Sequence, residues 1–135
     1  MSEEKKVILV AEDSASNRKI ICQMLSKFGF DVIDCVDGED AYNKATEAID
    51  SDSGLQAIMT DIMMPGMSGL DFVEKLQKQA EIGEIPVLFL TAVAERDQVI
   101  RARKLGARGY LLKPITRDKL RNKCIELFPD HIFAS

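Results

Sequence analysis

The chain has 135 residues, 46% of them hydrophobic and 30% charged, and a formal net charge of −4. That length suffices for one buried core without disulfides, and the absence of any long apolar run sets the chain apart from membrane-spanning and disordered sequences. Cys22, Cys35 and Cys124 form no CxxC pair and read as reduced, buried apolar residues, while the single histidine, His131, argues against Ser-His-Asp, Cys-His or His-ligated metal chemistry and is expected as an exposed tail residue.

From the N-terminus, Met1–Lys6 leads into only five apolar residues before Glu12 and Asp13, too few for a secretion signal, so the expected compartment is the cytoplasm. Lys5–Ala11 is a short apolar run rich in β-branched residues and predicts a first strand. Ile20, Ile21, Met24, Leu25 and Phe28 share one face of a helix that Gly29 should stop. A second strand over Asp31–Val36 leads to a helix whose start is marked by Asp37 and Asp40 at capping-box spacing. Leu55–Thr60 reads as the third strand, and the third helix opens at Ser68 and Asp71, carries Leu70, Val73, Leu76 and Gln77, and should end at Gly83. Ile85–Leu90 and Arg108–Leu112 complete the strands; a basic fourth helix lies between them and ends at Gly106, and a fifth helix follows and ends before Pro129. Strands apolar on both faces, alternating with helices, predict a doubly wound α/β fold with a parallel sheet covered on both sides. A single domain over 1–135 is expected, with its core at about 5–127, short tails, and no room for an attached output domain.

In such sheets the functional site lies beyond the C-terminal ends of the strands. Those ends supply Glu12 and Asp13, Asp61, Thr91, and Lys113-Pro114. If the loops converge, three carboxylates meet and need a positive partner. Ligands that are all oxygen, with no histidine or thiol, favour Mg²⁺ completed by a phosphate oxygen. Lys113 and Thr91 suit the remaining phosphoryl oxygens, and Asp61, on the most central strand, is the natural nucleophile for phosphoryl transfer. The Pro65-Gly66 turn lets Met63 offer its backbone carbonyl to the metal.

The Glu12-Asp13 pair, the run TDIMMPGMSG over Thr60–Gly69, LTA over Leu90–Ala92 and Lys113-Pro114 resemble response-regulator receiver domains of the CheY-like type. The intervals of 30 residues from Asp61 to Thr91 and 22 from Thr91 to Lys113 agree, and the likeness covers essentially the whole chain. The resemblance implies a five-stranded sheet of order 2-1-3-4-5. It implies that Asp61 accepts a phosphoryl group from a histidine kinase or a phosphotransfer histidine. Asp13, Asp61 and the Met63 carbonyl would bind Mg²⁺ directly, and Glu12 through water. Thr91 would move to meet the phosphoryl group, Tyr110 would turn inward behind it, Lys113 would pair with the phosphate across a cis bond to Pro114, and small Ala92 would gate access. The chain would then be a stand-alone signalling domain, assisting its own phosphorylation and dephosphorylation rather than turning over a substrate, and working as a monomer or weak dimer. Met63 and Val93, the second residues after Asp61 and Thr91, are apolar where fast-dephosphorylating relatives carry polar groups, which predicts a long-lived phosphorylated state.

Residues 1–94 carry 8 Lys+Arg against 17 Asp+Glu, whereas residues 95–123 carry 10 against 3. Arg96, Arg101, Arg103 and Lys104 with Arg117, Lys119, Arg121 and Lys123 therefore frame either ordinary solvated helix faces or a docking surface for a downstream protein over helix 4, strand 5 and helix 5; a DNA contact is the weaker reading. A dehalogenase-like phosphatase would need a second acidic residue at Met63, and a flavodoxin would need hydroxyls and glycine where Glu12-Asp13 stand. A phosphorelay intermediate, or a pseudo-receiver acting only by protein contacts, remains the alternative.

Overall fold

The structure is a computed structural model that describes residues 6–51, 54–79, 85–92 and 95–133. Lys5, Gly83 and Val93 lie outside the described residues. In chain order the elements are β1 (Val7–Ala11), α1 (Ala15–Lys27), β2 (Asp31–Cys35), α2 (Gly38–Asp50), β3 (Ala57–Asp61), α3 (Gly69–Gln79), β4 (Val87–Thr91), α4 (Arg96–Lys104), β5 (Gly109–Leu112) and α5 (Arg117–Leu127). The strands form one parallel sheet of order β2-β1-β3-β4-β5, the doubly wound fold expected. No described helix is long and apolar enough to cross a membrane.

Side chains of a strand alternate between the faces of the sheet, and both faces are covered here. Leu9, Ile58 and Phe89 pack with Phe72, Val73 and Leu76 of α3 and Ala41 and Ala45 of α2. Ile8, Val10, Met59 and Leu90 pack with Ile21 and Leu25 of α1 and Leu120 and Cys124 of α5. The three central strands are buried throughout, which is why they read as unbroken apolar runs. Ile20 departs from the expected shared face and stands 51% exposed on the side of α1.

Strand boundaries differ from the sequence reading by one or two residues. Pro86 has no N–H to give the ladder, so β4 begins at Val87. Before β3, Gln56 meets Val7 through both backbone and side chain: its N–H donates to Val7 O at 2.9 Å and its Oε1 accepts from Val7 N at 2.6 Å. At the other ends, β3 and β4 run one residue further than expected, so Asp61 and Thr91 are the last ladder residues rather than the first loop residues. The Asp37 carboxylate accepts from Asp40 N at 2.8 Å and the Ser68 hydroxyl from Asp71 N at 3.1 Å, fixing the starts of α2 and α3. Gly29 and Gly106 take φ of 99° and 86° where α1 and α4 end.

Beyond α5 the chain turns back onto the end of α1. His131 stacks on Phe30 with centroids 4.1 Å apart and planes at 14°, and its Nε2 lies 2.8 Å from the Phe28 carbonyl. Phe133 meets Phe28, Phe30 and His131 edge-on. His131 is therefore half-buried, contrary to the expectation of an exposed tail residue.

Candidate functional site

Parallel register brings the strand ends into one row. Ala11 lies opposite Thr60, Asp61 opposite Leu90, and Thr91 opposite Leu112, so the residues that follow β1 and β5 flank the last residues of β3 and β4. Backbone bonds continue the row past the strands: Glu12 N donates to Cys35 O at 3.1 Å, Ile62 N to Leu90 O at 3.1 Å, and Lys113 N to Thr91 O at 2.8 Å. The fold thus assembles Glu12, Asp13, Asp61, Thr91 and Lys113 without any special loop.

The carboxylates of Glu12, Asp13 and Asp61 offer oxygens that lie within 4.8 Å of one another. Glu12 is fully buried, Asp61 is 5% exposed, and Asp13 faces solvent. Lys113 Nζ stands between two of them, 2.6 Å from Asp61 Oδ2 and 2.6 Å from Glu12 Oε1. The contact with Asp61 is a hydrogen bond, whereas Glu12 Oε1, although paired in charge, receives no directed hydrogen bond. Burial pushes the Glu12 carboxyl above its ordinary range; the neighbouring Lys113 lowers it and the Asp61 charge raises it again, for a net rise. Burial alone would lower Lys113, but its hydrogen bond to Asp61 and its close ion pair with Glu12 outweigh that and hold the ammonium above its ordinary range.

Three carboxylates converge here on one ammonium. With an undirected buried oxygen and only oxygen donors, the cluster fits a hard divalent cation. Met63 stands beside it: its N–H donates to Asp61 Oδ1 at 3.2 Å, which leaves its carbonyl unused by that bond. A cleft of about 290 Å³ opens beside Asp61, lined by Asp61, Met63, Thr91, Ala92, Glu95, Gln98 and Lys113. Thr91 forms its buried wall and Ala92 its small, exposed rim. Lys113-Pro114 is cis. Tyr110 lies outside the cleft on β5; its half-buried ring packs beside α4 and its hydroxyl donates to Val99 O at 3.0 Å.

Several supports escaped the sequence reading. Arg18 on α1 donates from Nη1 to the Glu12 carbonyl at 2.8 Å, and its Nε lies 3.7 Å from Asp34. Ser14 N donates to Glu12 Oε2 at 3.2 Å. Thr60 Oγ1 donates to the Asp61 carbonyl at 3.0 Å. Gly69 presses on that same carbonyl: a Cβ there would sit 1.9 Å from Asp61 O, so only glycine fits. Gln98, on α4, donates from Nε2 to Met63 Sδ at 3.3 Å and so closes one side of the cleft. The strand-end rule finds the acidic and basic groups, but Arg18 and Gln98 approach from helices that no local signal ties to the site.

The basic face is smaller than the sequence suggested. Arg101 turns toward α3, 2.7 Å from Asp71 and 3.6 Å from Glu74. Arg117 and Arg121 lie over the rings of Phe28 and Phe133, and Lys123 pairs with Glu126 at 3.3 Å. Arg96, Arg103, Lys104, Arg117 and Lys119 stay exposed on α4 and α5.

The model of the response regulator receiver domain matches residues 8–125. The chemotaxis protein CheY1 of Helicobacter pylori is 35% identical over 117 residues, covering 86% of this chain and 91% of that protein. Chemotaxis protein CheY-3 of Vibrio cholerae is 33% identical over 132 residues, 90% of each chain. The solved structure of Vibrio cholerae CheY4 superposes with a TM-score of 0.82 at 28% identity, covering 91% of this chain and 98% of that one. A receiver domain protein from Clostridium thermocellum gives 0.80 at 27% identity over 92% and 94%. With its sheet order, its strand-end row and these relatives in agreement, the chain belongs to the response regulator receiver domain family.

Proposed function

We propose that the chain accepts a phosphoryl group on Asp61 from a histidine kinase or a phosphotransfer histidine and signals by a change of conformation. The observation that carries this reading is the placement of Lys113 Nζ at 2.6 Å from Asp61 Oδ2, where both line an open cleft and Asp61 meets the carboxylates of Glu12 and Asp13. In the transfer, an Asp61 carboxylate oxygen attacks phosphorus, the bond from phosphorus to the imidazole nitrogen breaks, and its electron pair stays on the imidazole. Asp13, Asp61 and the Met63 carbonyl would hold Mg²⁺ with Glu12 behind them; the bound ion would supply positive charge against the phosphoryl oxygens. Lys113 then trades its contact with the Asp61 carboxylate for one with the phosphoryl group, and the Thr91 hydroxyl, in the cleft wall, donates to another phosphoryl oxygen.

Those new contacts differ between the loaded and unloaded forms, and that difference is what shifts a two-state equilibrium. Thr91 is the last residue of β4, and Tyr110 ties β5 to α4 through the Val99 carbonyl. Movement of Thr91 toward the cleft is thereby coupled to the α4-β5-α5 face, where Arg96, Arg103, Lys104 and Lys119 remain for a downstream protein. Acetyl phosphate supplies the test: loading should need Mg²⁺, stop on chelation, and be lost in Asp61→Asn. Incorporation that persists in Asp61→Asn would overturn the assignment.

A further inference from the structure

Met63 stands apart from the other described methionines. It is 66% exposed, whereas Met59 and Met64 are buried and Met24 and Met67 are half-buried. It also lines the cleft over Asp61, its backbone N–H binds Asp61 Oδ1, and its sulfur already accepts a hydrogen bond from Gln98 of α4. The most oxidisable thioether on the described surface is therefore placed at the mouth of the candidate phosphorylation site, in an orientation where a polar hydrogen on α4 points at its sulfur.

We propose that Met63 is a redox modification site whose oxidation to the sulfoxide shortens the life of the phosphorylated state; this rests on the phosphoacceptor role of Asp61. With hydrogen peroxide as oxidant, an S–O bond forms and the O–O bond breaks. The sulfur loses two electrons and the peroxide leaves as water. An apolar wall of the cleft becomes a strong hydrogen-bond acceptor at the same spot. The Gln98 amide keeps a partner, now the sulfoxide oxygen, which has further acceptor capacity facing the cleft. A water held there by one of its protons keeps a lone pair for phosphorus. Its attack breaks the bond between phosphorus and the Asp61 oxygen, returns the electron pair to the carboxylate, and sends the water's proton to the departing phosphate. The unmodified thioether is a weak acceptor and gives such a water little orientation.

The experiment treats the full chain with hydrogen peroxide, maps sulfoxides by peptide mass spectrometry, loads treated and untreated protein with acetyl phosphate and Mg²⁺, and follows phosphate release. Met63 should oxidise about tenfold faster than Met59 or Met64, as exposure dictates. Oxidation should shorten the phosphoryl half-life by about fivefold through positioning of the water. Met63→Leu should lose the peroxide effect, and untreated Met63→Gln, with a carbonyl oxygen at similar reach, should reproduce the short half-life. Equal oxidation of buried and exposed methionines, or an unchanged half-life after Met63 is oxidised, overturns the proposal alone. Failure of the untreated chain to load overturns it together with the phosphoacceptor reading.

Discussion

Lys113 Nζ lies 2.6 Å from Asp61 Oδ2, a bond that joins the ends of β5 and β3 across 52 positions of sequence. The same ammonium faces Glu12 Oε1, so one cation holds two largely buried carboxylates together. Lys113→Met should remove that compensation. It should destabilise the metal-free protein by about 1–3 kcal/mol, the cost of stranding buried polar groups, and sharply slow loading by acetyl phosphate. Urea denaturation and loading kinetics on the one variant check both.

The Glu12 carboxyl is raised above its ordinary value of 4.5, chiefly by burial. A raised carboxyl means that the folded state binds its proton more tightly than the unfolded chain does. Its contribution is fully present below the unfolded value and is lost as pH rises through the folded one. Glu12→Gln removes this titration. Its stability relative to the unmutated, metal-free protein should therefore rise from pH 4 toward neutrality, and Mg²⁺ should stabilise it less. Thermal melts across that pH range, with and without Mg²⁺, measure the slope; a difference that stays flat with pH contradicts the burial argument.

Gly66, in the loop after β3, and Gly69, at the start of α3, separate two reasons for glycine. At Gly69 a Cβ would run into the Asp61 carbonyl, so Gly69→Ala must displace the backbone of the acceptor itself. At Gly66 there is open space, but φ is +73°. Gly66→Ala should cost about 1 kcal/mol of backbone strain and leave loading intact, whereas Gly69→Ala should cost about 1–3 kcal/mol as overpacking and impair loading. Equal loading rates for the two variants would contradict the geometry.

The ion pair between Arg101 and Asp71 ties α4 to α3, but the side chains are 38% and 52% exposed. Screening keeps such a pair below about 1 kcal/mol in a double-mutant cycle, and lower still in high salt. The Arg101 guanidinium holds the Asp71 carboxyl below its ordinary value, so the coupling should be present above pH 4 and fade as pH falls through the depressed value.

Removing His131 tests the C-terminal clasp. His131→Ala withdraws a ring stacked on Phe30 and the partner of the Phe28 carbonyl, and should cost about 1–2 kcal/mol. Because the clasp sits at the end of α1 away from the strand-end row, loading should be unaffected.

Much of the fold and the acidic site was legible in the sequence because β1, β3, β4 and β5 change from apolar to polar at their C-terminal ends. Glu12, Asp13, Asp61, Thr91 and Lys113 stand at those changes, and parallel register does the rest. Contacts set by packing between distant elements were not legible. Gln98 meets Met63 from 35 positions away, Arg18 reaches back to Glu12 around the first turn of α1, and His131 reaches Phe28 over 103 positions. The basic residues show the same limit. Their clustering left solvated helix faces and a docking face equally open, and only the structure shows that Arg101 turns to carboxylates of α3 and Arg121 to the Phe133 ring.

The proposed phosphoacceptor role of Asp61 can be read out chemically. Loading the full chain with acetyl phosphate and Mg²⁺, reducing the acyl phosphate with borohydride and mapping the modified peptide tests it directly. A single Mg²⁺-dependent modification is expected, at Asp61. A modification on any other residue, or none in the presence of Mg²⁺, would contradict it.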